Sequence, residues 1–205
     1  NIITALKEDG GLPWTHIADK QEENACTNAP ACVVALRLYG RFGVEKYLKD
    51  AIGLYNFVQK NLLLSDYRLG EPPLTYTPGT FAEACRLLYH ATGEASYMEE
   101  AAKLLYYAFT SNRCTTEGIL RHEGTSIDQS IFKSVLVNYA VKYLTDSSCT
   151  YLHKEILDAY EYNAKTLEAH LNRSMYPQMF ASYFWGEKFD YSGNGSMGAH
   201  VSGAQ

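Results

Sequence analysis

The stretch ACVVALRLYGRFGVEKYLKDA at residues 31–51 is answered by FAEACRLLYHATGEASYMEEA at residues 81–101. Leu38-Tyr39, Gly43, Tyr47-Leu48 and Ala51 return as Leu88-Tyr89, Gly93, Tyr97-Met98 and Ala101, each displaced by 50 residues. A weaker third copy, displaced by 54 from the second, carries Tyr143, Ser147 and Tyr151-Leu152. Self-similarity at a fixed period marks a repeat architecture. Within each copy the run Ala31 to Tyr39, or Phe81 to Tyr89, is apolar nearly all round, and a helix of that kind must be buried. Gly43 or Gly93 then supplies the positive φ that ends it. A second helix follows, over Val44 to Leu63 and over Ala95 to Ser111. In the first copy it sets an apolar stripe (Tyr47, Ala51, Leu54, Val58) against Lys46, Lys49, Asp50 and Lys60, one face packed and the other in water.

A further pair is expected over Asp128 to Thr145 and Thr150 to Asn172. Each repeat is then a hairpin of one inner and one outer helix, and the apolar character of the inner helices favours a closed ring over an open solenoid. Six units of about fifty residues need roughly 300 residues. The 205 residues are therefore expected to be one contiguous part of an all-α toroid, residues 1–205 belonging to a single domain with further sequence upstream. No initiator Met or signal peptide opens the chain, and Ala199 to Gln205 reads as the opening of another helix. No strand is expected. Thr75-Tyr76-Thr77 comes nearest to one, and Pro78 ends it.

Composition narrows the function. Hydrophobic residues make up 46% and charged residues 20%, with a net charge of −5 and no stripe of Lys and Arg, which argues against nucleic acid as a partner. No apolar run approaches the roughly 18 residues of a membrane span. The five cysteines (Cys26, Cys32, Cys85, Cys114, Cys149) are odd in number and lack C-x-x-C spacing, so buried free thiols are expected. The six histidines show no ligand spacing, and neither a phosphate loop nor a nucleophile elbow occurs. We expect no metal, no nucleotide and no other cofactor.

In a ring of hairpins the loops that lead into the inner helices point at the central funnel, where free N–H groups can meet a ligand. Those loops are residues 24–30, 74–80 and 123–129. Thr27-Asn28-Ala29-Pro30 aligns with Thr77-Pro78-Gly79-Thr80. Pro30 suits a first helical turn, and Asn28 reads as the N-cap before it. Trp14, Tyr76 and Trp185 lie in segments punctuated by Gly and Pro, where each is either a ring that stacks on a hexose or an anchor at the edge of the core. A glycosidase needs two carboxyl groups. Among Glu8-Asp9, Glu22-Glu23, Glu99-Glu100, Glu71, Glu123 and Asp128 no convincing pair emerges, and Asp128 reads as an N-cap.

The order of motifs carries a resemblance. Gly10-Gly11-Leu12-Pro13-Trp14 followed by Asn24-Ala25-Cys26-Thr27-Asn28-Ala29-Pro30 resembles the pattern of glycoside hydrolase family 76, in which Gly-Gly-x-x-Trp leads to Asn-x-x-x-Asn-Gly-Pro. Thr75-Tyr76-Thr77-Pro78-Gly79-Thr80-Phe81 is similar to the family's Thr-Tyr-Asn-Gln-Gly-Thr-Phe. Phe132-Lys133-Ser134 through Tyr139 is similar to its Phe-Lys-Gly segment ending in Arg-Tyr. The resemblance implies an (α/α)6 toroid, hydrolysis of α-1,6-linked mannan or a related polysaccharide, and a retaining mechanism with two adjacent aspartates. No Asp-Asp pair occurs in this chain, so the catalytic pair is expected outside it. By the same resemblance Trp14, Asn28, Tyr76, Thr80 and Lys133 are candidate substrate contacts. Thr77 and Pro78 replace the family's Asn-Gln, Ser134 its Gly and Asn138 its Arg. Those departures suggest a changed substrate, or a relative that binds glycans without cutting them. A helical-repeat interaction protein is a third alternative. An exported, monomeric protein acting on a polysaccharide or oligosaccharide is the leading expectation.

Overall fold

Asn24, and not Asn28, opens the first helix. Its side chain accepts from the Thr27 N–H at 3.0 Å. Helix α1 (Ala25–Phe42) then runs until Gly43, at φ 64°, returns its own N–H to the Tyr39 carbonyl at 2.7 Å. The computed structural model describes residues 6–17, 19 and 21–204. Residues 1–5, 18, 20 and 205 of the expected domain, and with them Gln205 of the expected last helix, lie outside the described residues. Because α1 starts before Ala31, Pro30 lies inside the helix and not in its first turn. It has no N–H for the carbonyl one turn back.

Helix α2 (Glu45–Asn61) returns antiparallel to α1, with Lys46 and Asp50 paired across one exposed turn at 2.9 Å. The second hairpin repeats the plan with α3 (Tyr76–Thr92), Gly93 at φ 77° and α4 (Ala95–Thr110). Thr75-Tyr76-Thr77 is therefore the cap and first turn of α3. Pro78 is its third residue, where no intrahelical N–H bond is required. A short hairpin follows that the sequence did not announce: β1 (Thr115–Thr116) pairs antiparallel with β2 (Ile119–Leu120). Its two turn residues, Glu117 at φ 53° and Gly118 at φ 78°, are both left-handed, as two-residue hairpin loops require. Strands of two residues cannot show alternation, which is why periodicity missed them. Helix α5 (Ile127–Thr145) is capped by Ser126, whose hydroxyl accepts from the Gln129 N–H at 3.2 Å. Asp128, read as the cap, instead sits in the first turn, where its charge still complements the helix dipole. Helices α6 (His153–His170) and α7 (Met197–Gly203) complete the order.

Helices α1, α3, α5 and α7 pack side by side in chain order, α2 and α4 back α1 and α3, and α6 lies against α4 and α5. The result is an all-α arc of inner and outer helices. Phe81, Cys85, Leu88, Leu136 and Tyr143 are fully buried within it. Each buried Leu or Phe of this kind contributes about 2 kcal/mol of apolar transfer. Two glycines let inner helices approach closely: a Cβ on Gly79 would lie 3.0 Å from Leu136 Cα, and one on Gly198 would lie 2.0 Å from Ser130 Oγ. All five cysteines are free, four of them buried and Cys26 half-buried. Among the described residues no helix is long and apolar enough to cross a membrane.

At the middle of α3, buried Glu83 meets Arg86 at 2.8 Å, Arg37 at 3.4 Å and Lys142 at 3.7 Å, and the network runs from there toward the C-terminal ends of the inner helices. Arg86 also reaches Asp146 at 2.7 Å, and His90 lies 2.5 Å from the same carboxylate. This ion network ties α1, α3 and α5 together.

Candidate functional site

Two residues join α1 to α2 and two join α3 to α4, whereas residues 62–75, 111–126 and 171–196 form long connections into α3, α5 and α7. These long segments gather at the N-terminal ends of the inner helices, opposite the ion network. Each reaches back to its neighbour. The Glu71 carboxylate accepts from the Ala25 and Cys26 N–H groups that start α1. Glu123 accepts from the N–H of Thr75 and, at 3.0 Å, from its hydroxyl at the start of α3. A carboxylate at a helix N-terminus satisfies orphan donors and complements the dipole. Burial raises the pKa of both carboxyls, and the amides they accept from oppose the rise. Glu71 and Glu123, weighed above as candidate acids, are thus cross-hairpin caps. Their spacing of 52 residues echoes the repeat, a signal that was present in the sequence.

Trp14 is 64% exposed. Its backbone N–H donates to the Glu22 carbonyl at 2.8 Å, and Pro13 bridges to Glu23, so that residues 12–14 and 22–23 form a strap beside α1. Asn28 holds the strap. It is fully buried; its Oδ1 accepts from the Leu12 N–H at 2.7 Å, and its Nδ2 donates to the Leu12 carbonyl at 3.0 Å and the Asn24 carbonyl at 2.8 Å. The expected cap and ligand donor is therefore committed on both sides of its amide to this chain's own backbone. Between strap and helix runs a groove of about 530 Å³ whose lining includes Trp14, His16, Cys26, Thr27, Pro30 and Val34.

Tyr76 is half-buried and stacks on Phe132 of α5, ring centroids 4.1 Å apart. Beneath it Thr80 is buried and spends its hydroxyl on the Tyr76 carbonyl at 2.8 Å. Lys133 is also buried. Its ammonium donates to the Tyr183 carbonyl and lies 5.2 Å from the Trp185 ring. Burial lowers its pKa to about 8, against the opposing pull of Glu123 and Glu187. Trp185 is only 3% exposed, so the two tryptophans divide: Trp185 is an anchor and Trp14 is free to meet a ligand. Of the five expected contacts, the structure leaves Trp14 exposed and Tyr76 half-buried, and it buries Asn28 under the strap, Thr80 under Tyr76 and Lys133 between Tyr183 and Trp185.

The substituted positions are mostly beneath the surface. Thr77, Pro78 and Ser134 are buried, and the Ser134 hydroxyl donates to the Ile131 carbonyl at 2.6 Å; Asn138 alone is exposed. These replacements alter packing more than the accessible face. Phe132 was missed as a partner of Tyr76 because the two rings belong to different hairpins. Among the described residues no group of three or more His, Cys, Asp or Glu could hold a metal ion.

The family model for glycosyl hydrolase family 76 matches residues 4–204. The α-1,6-mannanase GH76A of Salegentibacter sp. HEL1_6 superposes with a TM-score of 0.81 at 25% identity, over 98% of this chain and 63% of that one. An inactive variant of it, with two consecutive aspartates replaced by asparagine and in complex with α-1,6-mannotriose, gives 0.83 at 26% identity over the same shares. The Lin0763 protein of Listeria innocua gives 0.83 at 23% identity, over 98% of this chain and 59% of that one. The chain thus spans less than two thirds of the length of these structures. No curated protein matches it.

Proposed function

The chain belongs to glycosyl hydrolase family 76, and from that premise we propose that the protein containing it hydrolyses α-1,6-mannan or a related polysaccharide with retention of configuration. The observation that carries this reading is the pairing of accessible rings with rigid supports at one end of the inner helices. Trp14 rides on a strap clamped by Asn28, and Tyr76 stacks on Phe132 above a helix start capped by Glu123. Aromatic faces suit the C–H face of an uncharged hexose. In our reading this chain binds and orients the glycan. The nucleophile and the acid/base come from two adjacent aspartates outside these 205 residues, in keeping with the inactive Salegentibacter variant. The half-buried carboxylates Glu71 and Glu123 suit neither role, because each is occupied by helix amides. A polymeric substrate favours an exported enzyme in this reading, and we propose that it acts as a monomer.

The test incubates the full-length protein with α-1,6-mannan, follows chain shortening by mass spectrometry, and reads the first anomer formed by NMR. Shorter mannooligosaccharides released with retained configuration are expected. Intact mannan at high enzyme concentration, together with measurable oligosaccharide binding, would replace the hydrolase with a glycan-binding relative.

A further inference from the structure

A second pair of rings, His122 and Tyr183, lies in the connections that lead into α5 and α7. His122 is exposed in the connection before α5, and its ring lies edge-on to Tyr183 of the connection before α7, centroids 4.9 Å apart at 63°. Both residues are held by costly devices. The Gly124 N–H donates to His122 Nδ1 at 3.1 Å, so the neutral ring carries its proton on Nε2, the remaining nitrogen. Gly124 itself sits at φ 137°, a conformation open to glycine, and a Cβ there would lie 2.0 Å from Gln129 Oε1. Tyr183 is fixed from both sides of its peptide. Its N–H donates to the Asn194 carbonyl at 2.8 Å, and its carbonyl accepts from the buried Lys133 ammonium.

Taking a lysine ammonium out of water is expensive, and here the Tyr183 carbonyl, the Trp185 ring and the charges of Glu123 and Glu187 offset that cost. The bond to the carbonyl secures the position of the half-buried Tyr183 ring beside His122. Lys133 follows Phe132 in α5, and Glu123 follows His122 while capping the helix that begins with Tyr76. The imidazole and the phenol ring thus belong to connections that lead into the same ends of the inner helices as those carrying Trp14 and Tyr76.

We propose that His122 and Tyr183 form a further pyranose-binding subsite, in which the Tyr183 ring packs on the C–H face of a hexose and His122 Nε2–H donates to one of its hydroxyls. This deepens the polysaccharide reading and rests on it. The substrate it implies is an oligosaccharide chain crossing the connections before α1, α3 and α5, and not a single sugar.

The test uses the full-length protein with both catalytic aspartates replaced, titrated calorimetrically with α-1,6-mannooligosaccharides of two to six units. His122→Ala and Tyr183→Ala are each expected to weaken binding of the longer oligosaccharides about five- to tenfold, the size of one lost hydrogen bond or stacked ring. Tyr183→Phe keeps the ring and retains the affinity, and the thermal midpoint of all three variants stays at that of the parent. Wild-type-like affinity in both alanine variants overturns the subsite, as does a loss in Tyr183→Phe equal to that in Tyr183→Ala. Should the parent bind no α-1,6-mannooligosaccharide, the mannan reading fails on its own account. The same variants are then titrated with the oligosaccharide that a glycan array selects; equal affinities, or an array that selects none, overturn the subsite as well.

Discussion

The two ends of the inner helices hold carboxylates in opposite ways. At the N-terminal ends Glu71 and Glu123 face backbone N–H groups, that is, dipoles. From the middle of α3 to the C-terminal ends, Glu83 and Asp146 face Arg37, Arg86, Lys142 and His90, that is, charges. Their titration divides along the same line. Burial raises Glu71 and Glu123. Burial pushes Asp146 upward too, but His90, the Ser148 N–H and Arg86 outweigh it and draw the pKa down to about 2. The contrast fits a division of labour. The far end locks three helices together with ion pairs, while the other end spends its carboxylates on backbone and leaves the aromatic faces of Trp14 and Tyr76 accessible for the ligand we propose.

The largest effect should come from breaking the far end. Glu83 is buried among three cations, and Glu83→Ala leaves Arg86 and its neighbours without their carboxylate. A loss of about 3 kcal/mol in unfolding free energy is expected, the scale of removing one partner from a buried ion pair. Urea denaturation of the full-length protein measures it, and a change below about 1 kcal/mol would show that the network contributes little. If the two ends are separate in function, the apparent KM for mannan in the variant stays at the wild-type value wherever the protein is folded.

A second pair of variants separates folding from binding more finely. Asn28 and Asn163 make nearly the same clamp. Asn163 Oδ1 accepts from the Leu120 N–H at 2.7 Å, and its Nδ2 donates to the Gly118 and Ala159 carbonyls at 2.9 Å. Asn28 holds the strap that carries Trp14, whereas Asn163 holds the β1–β2 hairpin against α6. Asn28→Ala and Asn163→Ala should each lose about 2 kcal/mol, because each leaves buried backbone groups unpaired. Only Asn28→Ala should also weaken oligosaccharide binding, by about tenfold if one stacked ring is misplaced. Equal binding losses in the two variants would mean that stability alone sets the affinity.

The sequence made the hairpins legible because their signals are local and repeated: Gly43 and Gly93 stop α1 and α3 at matching positions, and Leu38-Tyr39 returns as Leu88-Tyr89. It hid the helix starts, since Asn24 and Thr75 precede residues such as Pro30, Thr77 and Pro78 that read as loop. It hid the site more deeply. Asn28 binds a peptide unit 16 residues away, and Glu71 and Glu123 bind helix starts 46 and 48 residues away. Asn28, Thr80 and Lys133 stood out as polar residues in motifs, but only the structure shows that all three are buried and hydrogen-bonded to this chain's own backbone.

The smallest expected effect is the shape of the pH–stability curve, and it follows from the same contrast. A carboxyl whose pKa is raised on folding holds its proton more tightly in the native state. Its contribution is present below the unfolded value of about 4.3 and is lost as pH rises through the folded value. Glu71 and Glu123 therefore tilt stability downward as pH climbs above about 4. Asp146 works the other way. Its contribution is present above the unfolded value of about 3.9 and is lost as pH falls toward the folded value, which is about 2. Glu123→Gln keeps an oxygen for the Thr75 N–H but removes the titration, so it should flatten the decline above pH about 4 and leave the acid limb unchanged. Asp146→Asn should flatten the acid limb and leave the decline in place. Urea midpoints across pH 2 to 7 read both limbs in one series. If either substitution flattened the limb assigned to the other, the division between dipole-held and charge-held carboxylates would fail.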